Sequence, residues 1–246
     1  MLNAFLWGLV ATSSLVLGGI IASKVNLGRR ALGIIMAFGA GTLISAVSYE
    51  LVFEAVKLAR GSGFPAFGLF SGAFTYYLCE WIIERVGGRH HKEAGASKSA
   101  SLVIPMILAI ILDGIPESIV IGLGLFKGGA VSLAMLAAVF VSNLPEAIAG
   151  TTGMKAGGWK SRNIILLWLS IAVICAFGSL AGYSLFTNTS AEWLSFIQAF
   201  AAGAILVVLT NSMIPESYEH AKKFAGIFTV LGFSFSILII ILEHVR

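Results

Sequence analysis

The sequence predicts an all-α fold: a polytopic membrane bundle of eight transmembrane helices in an inverted 3+2+3 repeat. Three observations lead there. The composition is 58% hydrophobic and only 11% charged, with a mean hydropathy of +0.94, whereas soluble domains carry about 25% charged residues. Apolar stretches long enough to cross about 30 Å of hydrocarbon as helix recur along the whole chain. Two pairs of these stretches also resemble each other in their polar residues.

In chain order the stretches are Asn3 to Ala22, Ala31 to Val56, Phe64 to Ile83, Leu102 to Phe126, Ala130 to Gly153, Asn163 to Phe186, Trp193 to Ile214 and Phe224 to Leu242. The first has neither the basic leader nor the small-residue cleavage pattern of a signal peptide, so it is expected to stay as a helix. The second ends on two acids, Glu50 and Glu54. Cys79 and Cys175 stand singly in the third and sixth, as small buried hydrophobes rather than a disulfide pair. Between the third and fourth lies the one polar linker, "VGGRHHKEAGASKSAS", Val86 to Ser101, rich in Gly, Ser and basic residues.

The formal net charge of +4 excludes no class by itself, but its distribution argues against nucleic acid, because the basic residues are sorted by loop rather than gathered with aromatics on a face. Connections after stretches one, three, five and seven hold Lys24, Arg29, Arg30; Arg85, Arg89, Lys92, Lys98; Lys155, Lys160, Arg162; and Lys222, Lys223. The alternate connections and the termini hold Lys57, Arg60, Lys127 and Arg246. By the positive-inside rule the first set faces the cytoplasm and both termini face outward, with Trp81, Trp159 and Trp193 at the interfaces.

"FGAGTLISAVSYELVFEA", Phe38 to Ala55, resembles "FAAGAILVVLTNSMIPES", Phe200 to Ser217, and one offset aligns Phe38 with Phe200, Gly41 with Gly203 and Glu54 with Glu216. Each copy is the second stretch of a three-stretch unit. Two stretches separate the units, so the second enters from the opposite side, as in the inverted repeats from which transporters are often built. The chain, a single transmembrane domain, divides into repeat one (1–86), a histidine-containing cytoplasmic loop (87–101), a central pair (102–154) and repeat two (162–246).

The central pair repeats as well: "DGIPESI" from Asp113 aligns with "SNLPEAI" from Ser142, Pro116 over Pro145 and Glu117 over Glu146. Asp113 and Glu117 are four apart and Asn143 and Glu146 three apart, so on helices each pair shares a face. A charged residue near the bilayer centre costs about 2.5–3.5 kcal/mol even on the lenient insertion scale, so acids there are expected to line a cavity or pathway. Pro116 withdraws a hydrogen-bond donor from the carbonyl of Leu112, and Pro145 from that of Val141. Freed carbonyls beside carboxylates favour a cation.

On these residues the chain resembles the Zrt/Irt-like (ZIP) family of divalent metal transporters over nearly its whole length. The resemblance rests on eight spans, a histidine-bearing loop before the fourth and paired proline–glutamate motifs in the fourth and fifth. It implies metal ligands at Asp113, Glu117, Ser142, Asn143 and Glu146, alternating access, cargo moving toward the cytoplasm, and a homodimer as a possible assembly. Asp113 stands where the family usually has histidine, Gly114 where it has asparagine, and Ser142 where it has histidine or glutamine. The remaining set is rich in oxygen, which keeps manganese and iron(II) open beside zinc.

Glu50 and Glu54 at the outer end of the second stretch, and Glu216 and His220 at the inner end of the seventh, are candidate vestibule residues; solvated interfacial acids are the plainer reading of the three glutamates, and a solvated interfacial histidine that of His220. His90 and His91 form a weaker candidate pair for metal capture. The function expected is a divalent metal transporter, not an enzyme, in the cell membrane, with the metal as substrate and no organic cofactor. A relative that senses metal or acts as a scaffold without transport stays open. An intramembrane metalloenzyme is the third reading, although no HExxH helix is present.

Overall fold

The computed structural model describes residues 1–87, 103–126, 132–186 and 189–245, and among them no strand occurs. The long helices are α1 (Leu2–Lys24), α2 (Arg29–Leu58), α3 (Phe64–Gly87), α4 (Val103–Phe126), α5 (Leu133–Ala156), α6 (Ser161–Leu185), α7 (Ala191–Ala221) and α8 (Lys223–His244). Seven of them, α1 to α3 and α5 to α8, are long and apolar enough to cross a membrane, and α4 matches α3 and α5 at 24 residues. The chain is a helical membrane protein. The loop histidines His90 and His91 lie outside the described residues, as does the side chain of His244.

The apolar stretches of the sequence fall on these helices to within a few residues, except that α7 runs past Ile214 to Ala221. Pro215 does not end it. The five residues before Ile214, Leu209–Met213, form a π-turn, whose i→i+5 bonding widens the helix and lets the chain pass a proline. Helix α2 contains a π-turn too, at Val47–Phe53, with no proline. These are also the two longest helices, 30 and 31 residues. At 1.5 Å per residue each is about 45 Å long, more than hydrocarbon alone requires.

Because lipid is as apolar as leucine, residue size rather than polarity sorts the faces of these helices. On α1, Ala4, Gly8, Ala11, Gly18, Gly19 and Ala22 are buried, while Leu2, Leu6, Val10, Leu17 and Ile21 point outward. The small face lets α1 lie against both α5 and α6. Helices α3 and α8 are peripheral, with Phe67, Phe70, Phe74, Ile227, Val230 and Leu238 exposed, and they pack mainly on α7 and α2 respectively. Buried polar bonds tie the inner helices together: the Trp168 indole N–H donates to Thr151 Oγ1 (2.8 Å) and the Ser195 hydroxyl to the Ala55 carbonyl (2.7 Å). Lys155 reaches from α5 to the otherwise orphaned carbonyls of Ala22 and Ser23 at the end of α1 (3.3 and 3.1 Å).

The two peripheral seams are built alike. A Cβ at Gly41 of α2 would lie 1.9 Å from the Thr229 carbonyl oxygen of α8, and one at Gly203 of α7 would lie 2.0 Å from the Leu69 carbonyl of α3. The contact recurs from the other side, Gly232 of α8 against Phe38 O (2.0 Å) and Gly72 of α3 against Phe200 O (1.9 Å). Backbone meets backbone at four places, and no side chain fits between.

Gly72→Ala and Gly203→Ala should each therefore force the helices apart and destabilise the fold by about 1–3 kcal/mol or more. Gly153→Ala, where an added Cβ meets nothing within 4 Å, should be neutral or slightly stabilising. Thermal unfolding of detergent-purified variants measures the difference; equal midpoints for Gly72→Ala and Gly153→Ala would contradict the seam.

Candidate functional site

Helix α4 bears Asp113 and Glu117 one turn apart on either side of Pro116, and α5 bears Ser142, Asn143 and Glu146 around Pro145. Neither helix contains a Lys, Arg or His between Val103 and Phe126 or between Leu133 and Met154. Asp113, Glu117, Ser142 and Asn143 are all buried, with 5% or less of their surface exposed, and Glu146 is partly buried. The two motifs meet. The Asn143 amide Nδ2 donates to Glu117 Oε2 across the helices at 3.5 Å. Ser142, Asp113 and Glu146 lie within interaction reach of the same carboxylate. The Ser142 hydroxyl proton itself turns back to the Val139 carbonyl of its own helix (3.0 Å).

The neighbours that fix these motifs are small residues on adjoining helices. Gly18 of α1 approaches the Leu144 carbonyl and Gly39 of α2 approaches Ser142 and the Val141 carbonyl, at added-Cβ distances of 2.7 and 3.1–3.3 Å. Gly114, where the resemblance calls for asparagine, faces α6: a Cβ there would lie 2.9 Å from Cys175 Sγ. A side chain at this position would meet α6 before anything else, which accounts physically for its absence.

The sequence did not single out α3, and α3 contributes. The Tyr76 hydroxyl, on a residue only 3% exposed, donates to Asp113 Oδ1. One turn further, Glu80 Oε2 accepts from Asn211 Nδ2 in the π-turn of α7 (2.8 Å). The available signal was Glu80 itself, an acid inside the third apolar stretch. The pairing of Tyr76 with Asp113 had no local signature, since the two are 37 residues apart.

The candidate vestibules separate into different kinds of site. Glu50 lines a cavity of about 40 Å³ shared with Val120, Ile121, Ser132, Met135 and Gln198, between the ends of α2, α4, α5 and α7. Glu54 instead holds the Lys57 ammonium at the surface (2.8 Å; side chains 36% and 55% exposed), so it reads as an ordinary helix-end pair. At the other end of the bundle, Glu216 Oε1 and His220 Nε2 are 3.8 Å apart on one face of α7, with side chains 13% and 7% exposed. His220 is backed by Gly33 of α2.

Chemically, the centre offers three carboxylates, an amide and a hydroxyl, an oxygen-rich set suited to a hard or borderline divalent cation. Among the described residues no three His, Cys, Asp or Glu side chains are already drawn together as closely as metal ligands. No protein-family model matches the chain, and no curated protein matches it either.

Proposed function

We propose that this chain is an eight-span transporter, α4 being the eighth span, that carries a divalent metal ion across the cell membrane toward the cytoplasm. The cargo binds at Asp113, Glu117, Asn143 and Glu146, with Ser142 at its edge. The single observation that carries the reading is the meeting of the two proline–glutamate motifs: Asn143 bonded to Glu117, with two more acids in reach and no basic residue on either helix before Lys155 in the last turn of α5. Acids so placed are unfavourable unless a cation or a water-lined path repays their burial. The similarity of "DGIPESI" and "SNLPEAI" to ZIP motifs supplies the direction and the alternating-access mechanism.

The inverted 3+2+3 repeat belongs to the same proposal. In its support, the π-turns of α2 and α7 begin at Val47 and Leu209, the same offset that aligns Phe38 with Phe200. The seam pairs α2–α8 and α3–α7 exchange under that relation, and their glycine contacts exchange with them. A repeat of this kind gives two access states from one bundle, with the site at the interface. Metal binding without transport is the second reading. It is favoured by Asp113 and Gly114 standing where the ZIP motif has histidine and asparagine, and flux assays separate the two.

Glu117→Ala and Glu146→Ala should each abolish uptake of manganese, iron(II) and zinc into proteoliposomes while the protein remains folded in the membrane. Wild-type rates in either variant would remove the carboxylate centre from the path.

Asp113→His replaces an oxygen by a borderline nitrogen donor and should shift competition toward zinc over manganese. An unchanged competition profile would place Asp113 outside the ligand set.

Cysteines at Lys57 and Glu219, both exposed, in a background lacking Cys79 and Cys175, should react with an impermeant thiol reagent from opposite sides of the membrane. Labelling of both from one side would refute the inverted repeat.

A further inference from the structure

A groove of about 500 Å³ lies between α1, α5 and α8, away from the carboxylate centre. That volume is within the range of about 300–1,000 Å³ in which proteins hold small ligands. Its walls are nine apolar residues and one acid, Glu243, and Val10, Phe235 and Leu242 among them are exposed.

The lining has a direction. On α5 it begins at Leu133, the first residue of the helix, and ends at Val141; on α8 it runs back from Glu243, next to the helix end, to Phe235. The groove therefore opens where two membrane-crossing helices end and reaches about 12 Å inward, most of the roughly 15 Å of one leaflet. Averaged over that length, its cross-section is about 40 Å², half or less that of a helix with its side chains. A second helix does not fit; one hydrocarbon chain does.

The mouth carries both signs. Glu243 Oε1 accepts from the Leu133 N–H, so the carboxylate sits on the positive end of the α5 dipole. No Lys, Arg or His is among the described residues that line the groove. A carboxylate without a basic side chain beside it suits a cationic head group, and a primary ammonium donates charge-assisted hydrogen bonds to it that a quaternary ammonium cannot. The phosphate of the same head group suits the α5 N-terminus. We propose that the groove is a binding site for phosphatidylethanolamine, one acyl chain lying between α5 and α8 and the ammonium at Glu243. The deep end stands against Val141, next to Ser142, so a seated lipid backs the part of α5 that bears the centre. The site follows from the membrane-spanning helices and stands whether or not the protein transports metal.

The test reconstitutes the full protein in phosphatidylcholine vesicles doped with phosphatidylethanolamine or phosphatidylglycerol bearing a photoactivatable diazirine in one acyl chain. After irradiation, adducts should concentrate on segments 133–141 and 235–243, with the ethanolamine probe about fivefold ahead of the glycerol probe. Ala137→Phe and Ile239→Trp fill the groove from α5 and from α8, and each should abolish these adducts. Labelling of the exposed α3 face at Phe67, Phe70 and Phe74 should persist in both, which reports that the variants are folded and inserted. Glu243→Gln keeps an acceptor for the Leu133 N–H and removes the charge; it should retain the chain adducts and bring the two probes to parity. Adducts spread evenly over α3, α5 and α8, or unchanged in both filled variants, would overturn the site. A preference unaltered by Glu243→Gln would overturn its head-group assignment. Spontaneous disulfide dimers of an Ile239→Cys variant lacking Cys79 and Cys175 would give the groove to a second copy instead.

Discussion

The structure is organised around acids that an apolar bundle has to hold without a basic residue beside them on their own helices. Asp113 and Glu117 are buried on α4, and Glu146 stands opposite on α5. Their charge is met by dipoles drawn from other elements: the Tyr76 hydroxyl from α3 and the Asn143 amide from α5. Those dipoles need fixed helices behind them. The close backbone contacts at Gly18, Gly39 and Gly72 provide this, since each holds its helix against a carbonyl or a Cα of the next. Small residues thus do for the centre what large apolar side chains do for a soluble core, because in lipid only close packing and hydrogen bonds hold helices together.

Much of this was legible in the sequence, for identifiable reasons. The helices announce themselves by length and hydropathy, and the acids of "DGIPESI" and "SNLPEAI" by their rarity in such surroundings. Spacing placed each pair on one face of its own helix, and the bond from Asn143 to Glu117 shows that the two faces meet. The role of α3 was not legible, because Tyr76 and Glu80 meet partners 37 and 131 residues away and an outer helix has no sequence period that marks its inner face. The seventh apolar stretch stops at Ile214 because the residues beyond it are polar, but the helix does not: α7 passes Pro215 through a π-turn and runs on to Ala221. Glu54, aligned with Glu216 by the repeat, turns out to hold Lys57 at the surface, whereas Glu216 faces His220 in partial burial. Sequence similarity fixed their positions along the helices and not their surroundings.

The long helices α2 and α7 each combine a tight glycine seam with a π-turn. The seam joins each to a peripheral partner as one unit, and the π-turn re-aims the residues beyond it. In α7 that turn carries Asn211, bonded to Glu80 one turn from Tyr76. A shift of α7 would therefore be felt at Asp113 through a chain of two hydrogen bonds and one helical turn. On the proposed reading, this links the position of α7 to the geometry of the cation's ligands.

The central claim is that the carboxylates of α4 and α5 form one oxygen-rich site for a divalent cation. X-ray absorption spectroscopy at the manganese edge on the purified, manganese-loaded protein tests it most directly. The account predicts a first shell of oxygen and nitrogen without sulfur, lost when Glu117→Gln and Glu146→Gln are combined. A sulfur-containing shell, the same spectrum in the double variant, or no saturable manganese in the wild-type protein would contradict it.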